Sequence, residues 1–475
     1  FVSISHIFNK LSEKYDVFAD NLLKIWDIDI KNPGFTLGTD KGLLEGRKCS
    51  LGNVRGLTIM VEFSDQSTSI RPAQVDALLN KKGYSQGGHL GSVRDYYLAM
   101  SSNKLDYRND VIGPVRLPNT RAYYSKNLLF DDALKAAIEQ EGLDLSKYAT
   151  QKKGEIKPMV DAINFLYAGE SVFKNWLWPH NSMCRREFNG VKTGLYMLTG
   201  LGQRASAMSI GTICHETGHL LCRFPDLYDY GTRDDDSKRS GGIGTYCLMG
   251  SGNHLAGGRV PAPICGYLRY LAGWVDNVVE MESGRQYDLR HGDYGTVHLH
   301  HTSTQDEYFI IENRSRNGYD KHLSSNGLSV LHCDIYGSNE WQGGTADRHY
   351  QCALLQADGR NDLEQNRNRG DTDDMFRPRN GVFFSADTRP HSREWSGVDS
   401  GLILRDLKSR DTVMTVGTGM APISGKPSMP GKPSTPAKPP TPEEPSIPEK
   451  PPVTQQGVAE DWPRVEIPDN DPNGV

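Results

Sequence analysis

The stretch Gly211-Thr-Ile-Cys-His215-Glu216-Thr-Gly-His219-Leu-Leu-Cys222 constrains this chain more than any other. Two histidines four residues apart share a face only on a helix, and there both imidazoles reach a single metal ion. Glu216, one residue off that face, reaches a water on the metal and takes its proton. Zinc suits such ligands, lowers the pKa of its bound water and polarises a carbonyl. A pattern of this kind arises by chance about 0.03 times in a chain with this histidine content. The apolar periodicity around it predicts a long helix from Ala205 to Cys222.

Two histidines leave a tetrahedral zinc one protein ligand short, with the fourth place kept for water. No glutamate occurs between Glu216 and Glu280, so a downstream helix glutamate, the thermolysin-like plan, is disfavoured. The candidates are Asp226, Asp229, the run Asp234-Asp235-Asp236 and His254. Asp226 follows the helix end most directly, in Arg223-Phe-Pro-Asp226-Leu-Tyr-Asp229-Tyr-Gly231, where Pro225 stops the helix. Further on, Cys247-Leu-Met249-Gly-Ser-Gly252 is a glycine-rich turn around a methionine.

Together these segments resemble the M6 metallopeptidases, the immune-inhibitor-A group within the metzincins. The resemblance spans residues 50–416 and includes Gly91-Ser-Val-Arg-Asp-Tyr-Tyr97, Val115-Arg-Leu-Pro118, Leu177-Trp-Pro-His180, Gln356-Ala-Asp-Gly359 and Asn368-Arg-Gly-Asp371. It implies a secreted zinc endopeptidase with a zincin-type α/β catalytic domain. His215 and His219 would be ligands, Glu216 the general base and Met249 the Met-turn beneath the metal. One departure stands out. Metzincins carry glycine three past the second histidine and the last ligand six past it. Here those places hold Cys222 and Pro225, and Asp226 lies seven past. Cysteine enters a left-handed turn less readily than glycine, so the chain must leave the helix differently. Asp226 is the expected third ligand, with His254 or Asp229 as substitutes.

Tyr228, Tyr230 and His254 are candidates either for stabilising a developing oxyanion or for packing the cleft wall. Asp234, Asp235 and Asp236, and separately Asp371, Asp373 and Asp374, suit calcium as clustered carboxylates in glycine-rich loops, or are solvated loop charge. Cys214 and Cys222 sit off the histidine face and are expected to be buried or disulfide-bonded. Cys333 and Cys352 fall in adjacent strand candidates that allow pairing. Cys49 is a remote candidate for blocking zinc from a pro-segment. Asn313-Arg-Ser315 matches a glycosylation sequon.

Around the site, Arg55–Phe63 and Lys104–Ile112 read as strands, and Ser92–Ser101 and Pro158–Leu166 as helices. From residue 285 to 416, short strands at turn-punctuated spacing predict a β-rich module. The candidates are Gly295–His300, Glu307–Glu312, Leu328–Ile335, Tyr350–Gln356, Leu402–Leu407 and Thr412–Val416. From Ala421 proline recurs at the third and sixth places of a hexad (Gly425-Lys-Pro-Ser-Met-Pro430, then Gly431-Lys-Pro-Ser-Thr-Pro436), which forbids helix and sheet and predicts an extended spacer. Asp461–Val475 resembles the opening strand and turn of a P domain.

The expected organisation is therefore an N-terminal segment, 1–50, holding an amphipathic stretch (His6 to Ile25) and readable as a pro-segment remnant. A catalytic domain, 51–280, a β-rich module, 281–417, a proline-rich linker, 418–460, and a truncated further domain, 461–475, follow. Opening on Phe1, with no visible leader, the chain is expected to be cut at both ends.

Of the 475 residues 54 are basic and 59 acidic, with no basic stripe, which excludes a nucleic-acid binder that works by neutralising phosphates. No apolar run approaches the roughly 18–20 residues of a membrane span. Eight cysteines make no dense disulfide scaffold but fit an extracellular enzyme. A monomer acting on proteins or peptides is expected. The alternatives are a secreted adhesion protein with a vestigial motif, or a zinc hydrolase of non-peptide substrates.

Overall fold

The computed structural model describes residues 42–44, 46–172, 175–231, 238–340, 344 and 348–420. The amphipathic stretch at 6–25, the proline spacer, the P-domain-like end and Asp234, Asp235 and Asp236 lie outside the described residues. The fold is mixed α/β, with several sheets and few helices.

The first sheet contains β1 (Gly52–Glu62), β2 (Leu105–Arg116), β3 (Ile163–Tyr167), β4 (His180–Met183) and β5 (Leu195–Gly200) in the order β2-β1-β3-β5-β4. The first four strands in that order run parallel, and β4 closes one edge antiparallel to β5. Side chains alternate along β1. Leu57, Ile59 and Val61 enter one apolar cluster, while Val54 and Met60 enter another on the opposite face. Helices α1 (Pro72–Asn80) and α2 (Val93–Met100) cover the second face, and α3 (Phe130–Glu141) covers the first. Ser92 caps α2 reciprocally: its hydroxyl accepts from the Asp95 N–H, and the Asp95 carboxylate accepts from the Ser92 N–H.

The segment Pro158–Leu166, expected to be helical, is instead a short strand (Met159–Val160) followed by β3. Every residue of β3 is buried, because the strand lies between β1 and β5 with both faces covered. A continuous apolar run of that kind carries no period to distinguish strand from helix.

Helix α4 (Gly211–Thr217) carries His215 and Glu216, His219 lies in the π turn that continues it, and beyond α5 (Gly266–Leu271) the chain is mostly β. Strands β6 (Asn277–Glu280), β8 (Thr296–His301), β9 (Glu307–Arg314), β10 (Gly327–Asp334) and β11 (Cys352–Leu354) form one sheet. Strands β7 (Gln286–Arg290), β12 (Arg379–Phe384), β13 (Leu404–Arg410) and β14 (Val413–Thr418) form another. All six strand candidates from this region coincide with strands; β6, β7 and β12 are additional. One buried apolar cluster runs from Tyr97 and Trp274 through Met249 to Ile310 and Leu331, so the β-rich residues pack directly behind the histidine helix. Asn313 is buried and its amide donates to the carbonyls of Leu289 and Thr412, so the sequon is folded into the β layer rather than displayed. No helix among the described residues is long and apolar enough to cross a membrane.

Candidate metal centre

Helix α4 is short, and a π-helical turn, Gly218–Cys222, continues it. The expected helix from Ala205 is shortened by close packing. A Cβ on Gly211 would lie 1.9 Å from the Asn253 carbonyl oxygen, and the Ile210 N–H donates to Gly258, so the 251–258 segment fixes where the helix begins. The residues before it form a separate 3-10 turn, Ala205–Ala207.

The π turn sets where the chain leaves the helix. A π turn closes i to i+5 and holds one more residue than an α turn. The Arg223 N–H bonds back to the Gly218 carbonyl, and Arg223 itself adopts the left-handed conformation at φ 59°. The exit thus falls at Arg223 rather than Cys222, and Asp226 stands three residues beyond it. Cys222 keeps helical geometry, fully buried. The Arg223 guanidinium donates to the His219 carbonyl at 2.6 Å, tying the exit to the helix.

Three donor atoms converge. His215 Nε2 and His219 Nε2 are 3.2 Å apart, and Asp226 Oδ1 lies 3.1 Å from the first and 3.3 Å from the second. Nitrogen ligands about 2.05 Å from a tetrahedral zinc are about 3.3 Å from one another, so this triangle has the size of one face of such a site. Both imidazoles are oriented from behind. His215 Nδ1 donates to the Leu248 carbonyl at 3.0 Å and His219 Nδ1 to the Phe224 carbonyl at 2.5 Å. A carbonyl only accepts, so Nδ1 carries the hydrogen and the Nε2 lone pairs face the triangle. Asp226 Oδ1 is buried and has no hydrogen-bond partner among the described residues, whereas Oδ2 accepts from Tyr230 at 2.7 Å. Tyr230 is in turn hydrogen-bonded to Tyr228 at 2.8 Å.

Electrostatics match. Burial disfavours the charged His215 ring, but the hydrogen bond and charge of Asp226 outweigh it and raise the ring to about 9. Burial likewise opposes ionisation of Asp226, yet the His219 and His215 rings hold its carboxyl well below the usual range. Glu216 is 6% exposed; burial pushes its carboxyl up, against the pull of both imidazoles.

Met249 is fully buried, and a Cβ on Gly218 would lie 2.9 Å from its sulfur, so the methionine sits directly against the helix between the two histidines. The substitutes for the third ligand lie outside the triangle. Asp229 accepts from the Gly231 N–H at 2.7 Å, and His254 is exposed. Elsewhere, carboxylates of Asp358, Asp371 and Asp373 gather within 4.8 Å of one another. Asp374 turns inward from them. It is 1% exposed, and its Oδ2 accepts from Tyr246 and the Asp371 N–H, both at 2.7 Å; burial pushes it up to about 6.

Three contributors to the centre carry no signal in the sequence. The Phe224 and Leu248 carbonyls are backbone atoms without a residue signature. Glu340, 3% exposed, accepts from the Asp226 N–H at 3.1 Å from 114 positions away. Asp358, absent from the expected calcium ligands, does have a signal, since it belongs to the family-like segment Gln356-Ala-Asp-Gly359. No protein-family model matches the chain and no curated protein matches it, so geometry and the donor set carry the assignment of this site.

Proposed function

We propose that this chain is a zinc-dependent endopeptidase of the metzincin type, of the M6 kind, that acts on proteins outside the cell. The observation that carries this reading is the buried triangle of His215 Nε2, His219 Nε2 and Asp226 Oδ1 beside Glu216. Its size and donor set fit zinc: two imidazoles with their second nitrogens tied to carbonyls, and one carboxylate oxygen otherwise without a donor. Zinc bound there supplies a Lewis acid and a water of lowered pKa.

The remaining chemistry belongs to the chain. Glu216 takes a proton from the attacking water and passes it to the leaving amine. Tyr230 holds Asp226 in place, and Met249 fills the space behind the helix. The peptide class of substrate is supported by β4. Among the described residues this edge strand pairs with β5 alone, and its Asn181 touches Arg223 at 3.4 Å. An extended peptide lying along such an edge hydrogen-bonds by its backbone, whatever its sequence. The Asp358, Asp371 and Asp373 carboxylates would hold a structural calcium ion in place of the Arg360 guanidinium, which pairs with Asp358 at 3.0 Å and Asp373 at 3.2 Å.

The test is Glu216→Gln. It should retain one zinc per chain and lose casein cleavage by a factor of about 10²–10⁴. Cleavage at the wild-type rate overturns the role of Glu216. Hydrolysis of small esters by a wild-type chain that leaves unfolded protein intact overturns the substrate class.

A further inference from the structure

We propose that Cys247 with Cys265, and Cys333 with Cys352, form two disulfides that brace the metal centre from behind. These four residues are fully buried and make a continuous row through the core. Cys333 and Cys352 are register partners on antiparallel β10 and β11, with Sγ atoms 3.9 Å apart. The Cys352 N–H and carbonyl are both bonded to the Asn339 side chain, and the Asp334 N–H bonds to Gln351. The two cysteines are therefore a non-hydrogen-bonded pair, whose close Cα spacing of about 4.5 Å falls within the disulfide range. Cys247 and Cys265 meet at the next step of the row, where the Cys265 N–H points at Cys247 Sγ at 3.5 Å. The Cys265 thiol also touches that of Cys352, so a middle pairing is the competitor. It would strand Cys247 and Cys333 at opposite ends.

Each bond encloses one support of the triad. The 247–265 loop contains Leu248, whose carbonyl orients His215, and Met249. The 333–352 loop contains Glu340, which holds the Asp226 backbone, and Asn339. In the structure all eight cysteines are thiols. Buried thiols are poor nucleophiles, so the bonds form while the chain folds. One thiolate attacks a sulfur of a small disulfide such as oxidised glutathione and releases one glutathione thiol. The partner cysteine then displaces the second. One S–S bond is made in the chain, and its two electrons and two protons end on two glutathione thiols.

The pairing is independent of the proposed function; the consequence for zinc rests on it. The chain is folded in a glutathione redox buffer, quenched in acid, denatured with N-ethylmaleimide and digested without reductant for mass spectrometry. Expected are linked peptides 247–265 and 333–352, with maleimide on Cys49, Cys184, Cys214 and Cys222. Maleimide on any of the four bridged cysteines, or a 265–352 link, overturns the pairing. Zinc itself is then titrated against a chromophoric chelator before and after reduction with a trialkylphosphine that is removed by desalting. Reduction should weaken binding about tenfold, the scale of losing an outer support. The Cys333→Ala/Cys352→Ala chain should show part of that loss without reductant. Unchanged affinity on reduction overturns the bracing role. A chain that binds no zinc in either state, yet gives the expected peptide map, fails the proposed function and keeps the disulfides.

Discussion

His219 Nδ1 is hydrogen-bonded at 2.5 Å to the carbonyl of Phe224, five residues further along the chain. That contact exists because the helix ends in a π turn and Arg223 turns the backbone left-handed, folding the chain back under the ring it has just left. The same turn delivers Asp226 to the two histidines. One local irregularity thus orients the second imidazole and supplies the third donor.

The third ligand is open to a direct comparison. Asp226→Ala should weaken zinc binding by more than the roughly 10–100-fold that loss of an outer partner costs, and Tyr230→Phe by about tenfold. His254→Ala and Asp229→Ala should leave affinity within about twofold of wild type. Competition titration with a chromophoric chelator ranks all four. An Asp226→Ala chain that binds zinc like wild type would show that another group holds the metal.

Gly218 has an ordinary helical φ of −59°, so its requirement is space rather than conformation. Gly218→Ala drives a methyl toward Met249 Sδ at 2.9 Å and the Phe224 ring at 3.3 Å. It should cost about 1–3 kcal/mol in chemical denaturation. Adding Met249→Ala should recover part of that cost, because the sulfur is the nearest obstacle. Strict additivity of the two substitutions would mean that the methionine does not press on this turn.

His298 gives the fold a pH dependence away from the metal. Burial lowers its ring to about 4, against the weaker opposing charges of Asp293 and Glu312, with Tyr287 edge-on at 6.3 Å. The folded value lies below the ordinary 6.5. Its contribution is therefore fully present above 6.5 and is lost as pH falls toward 4, up to about 3 kcal/mol. His298→Gln should flatten the decline in denaturation midpoint between pH 6.5 and 4. A variant with the wild-type slope would assign that decline to other groups.

The Asp358, Asp371 and Asp373 cluster is testable with terbium, whose emission is sensitised by nearby tyrosine. Tyr246, whose hydroxyl oxygen lies 3.0 Å from the Asp371 carbonyl oxygen, is placed to act as the antenna. Terbium emission should appear on tyrosine excitation and be displaced by calcium. Asp358→Asn with Asp371→Asn should weaken both at least about tenfold, since ligand charge sets calcium affinity. Emission that survives the double substitution places the lanthanide elsewhere.

The sequence by itself determined the parts whose physics is local. His215, Glu216 and His219 are legible because four residues on a helix make one face whatever surrounds them. The β1 pattern and the helix over Ser92–Ser101 are equally local. What lay beyond the sequence depended on contacts between distant segments. Pro158–Leu166 became a strand because its neighbours cover both faces, and the helix began at Gly211 because the Asn253 carbonyl leaves no room for a side chain. The choice among Asp226, Asp229 and His254 turned on how the chain leaves the helix, and spacing alone made Cys222 the point of difficulty. Only the tertiary structure moved the left-handed residue to Arg223 and held Asp226 in place from Glu340, because a π turn is stable where packing stabilises it and not where propensity asks for it.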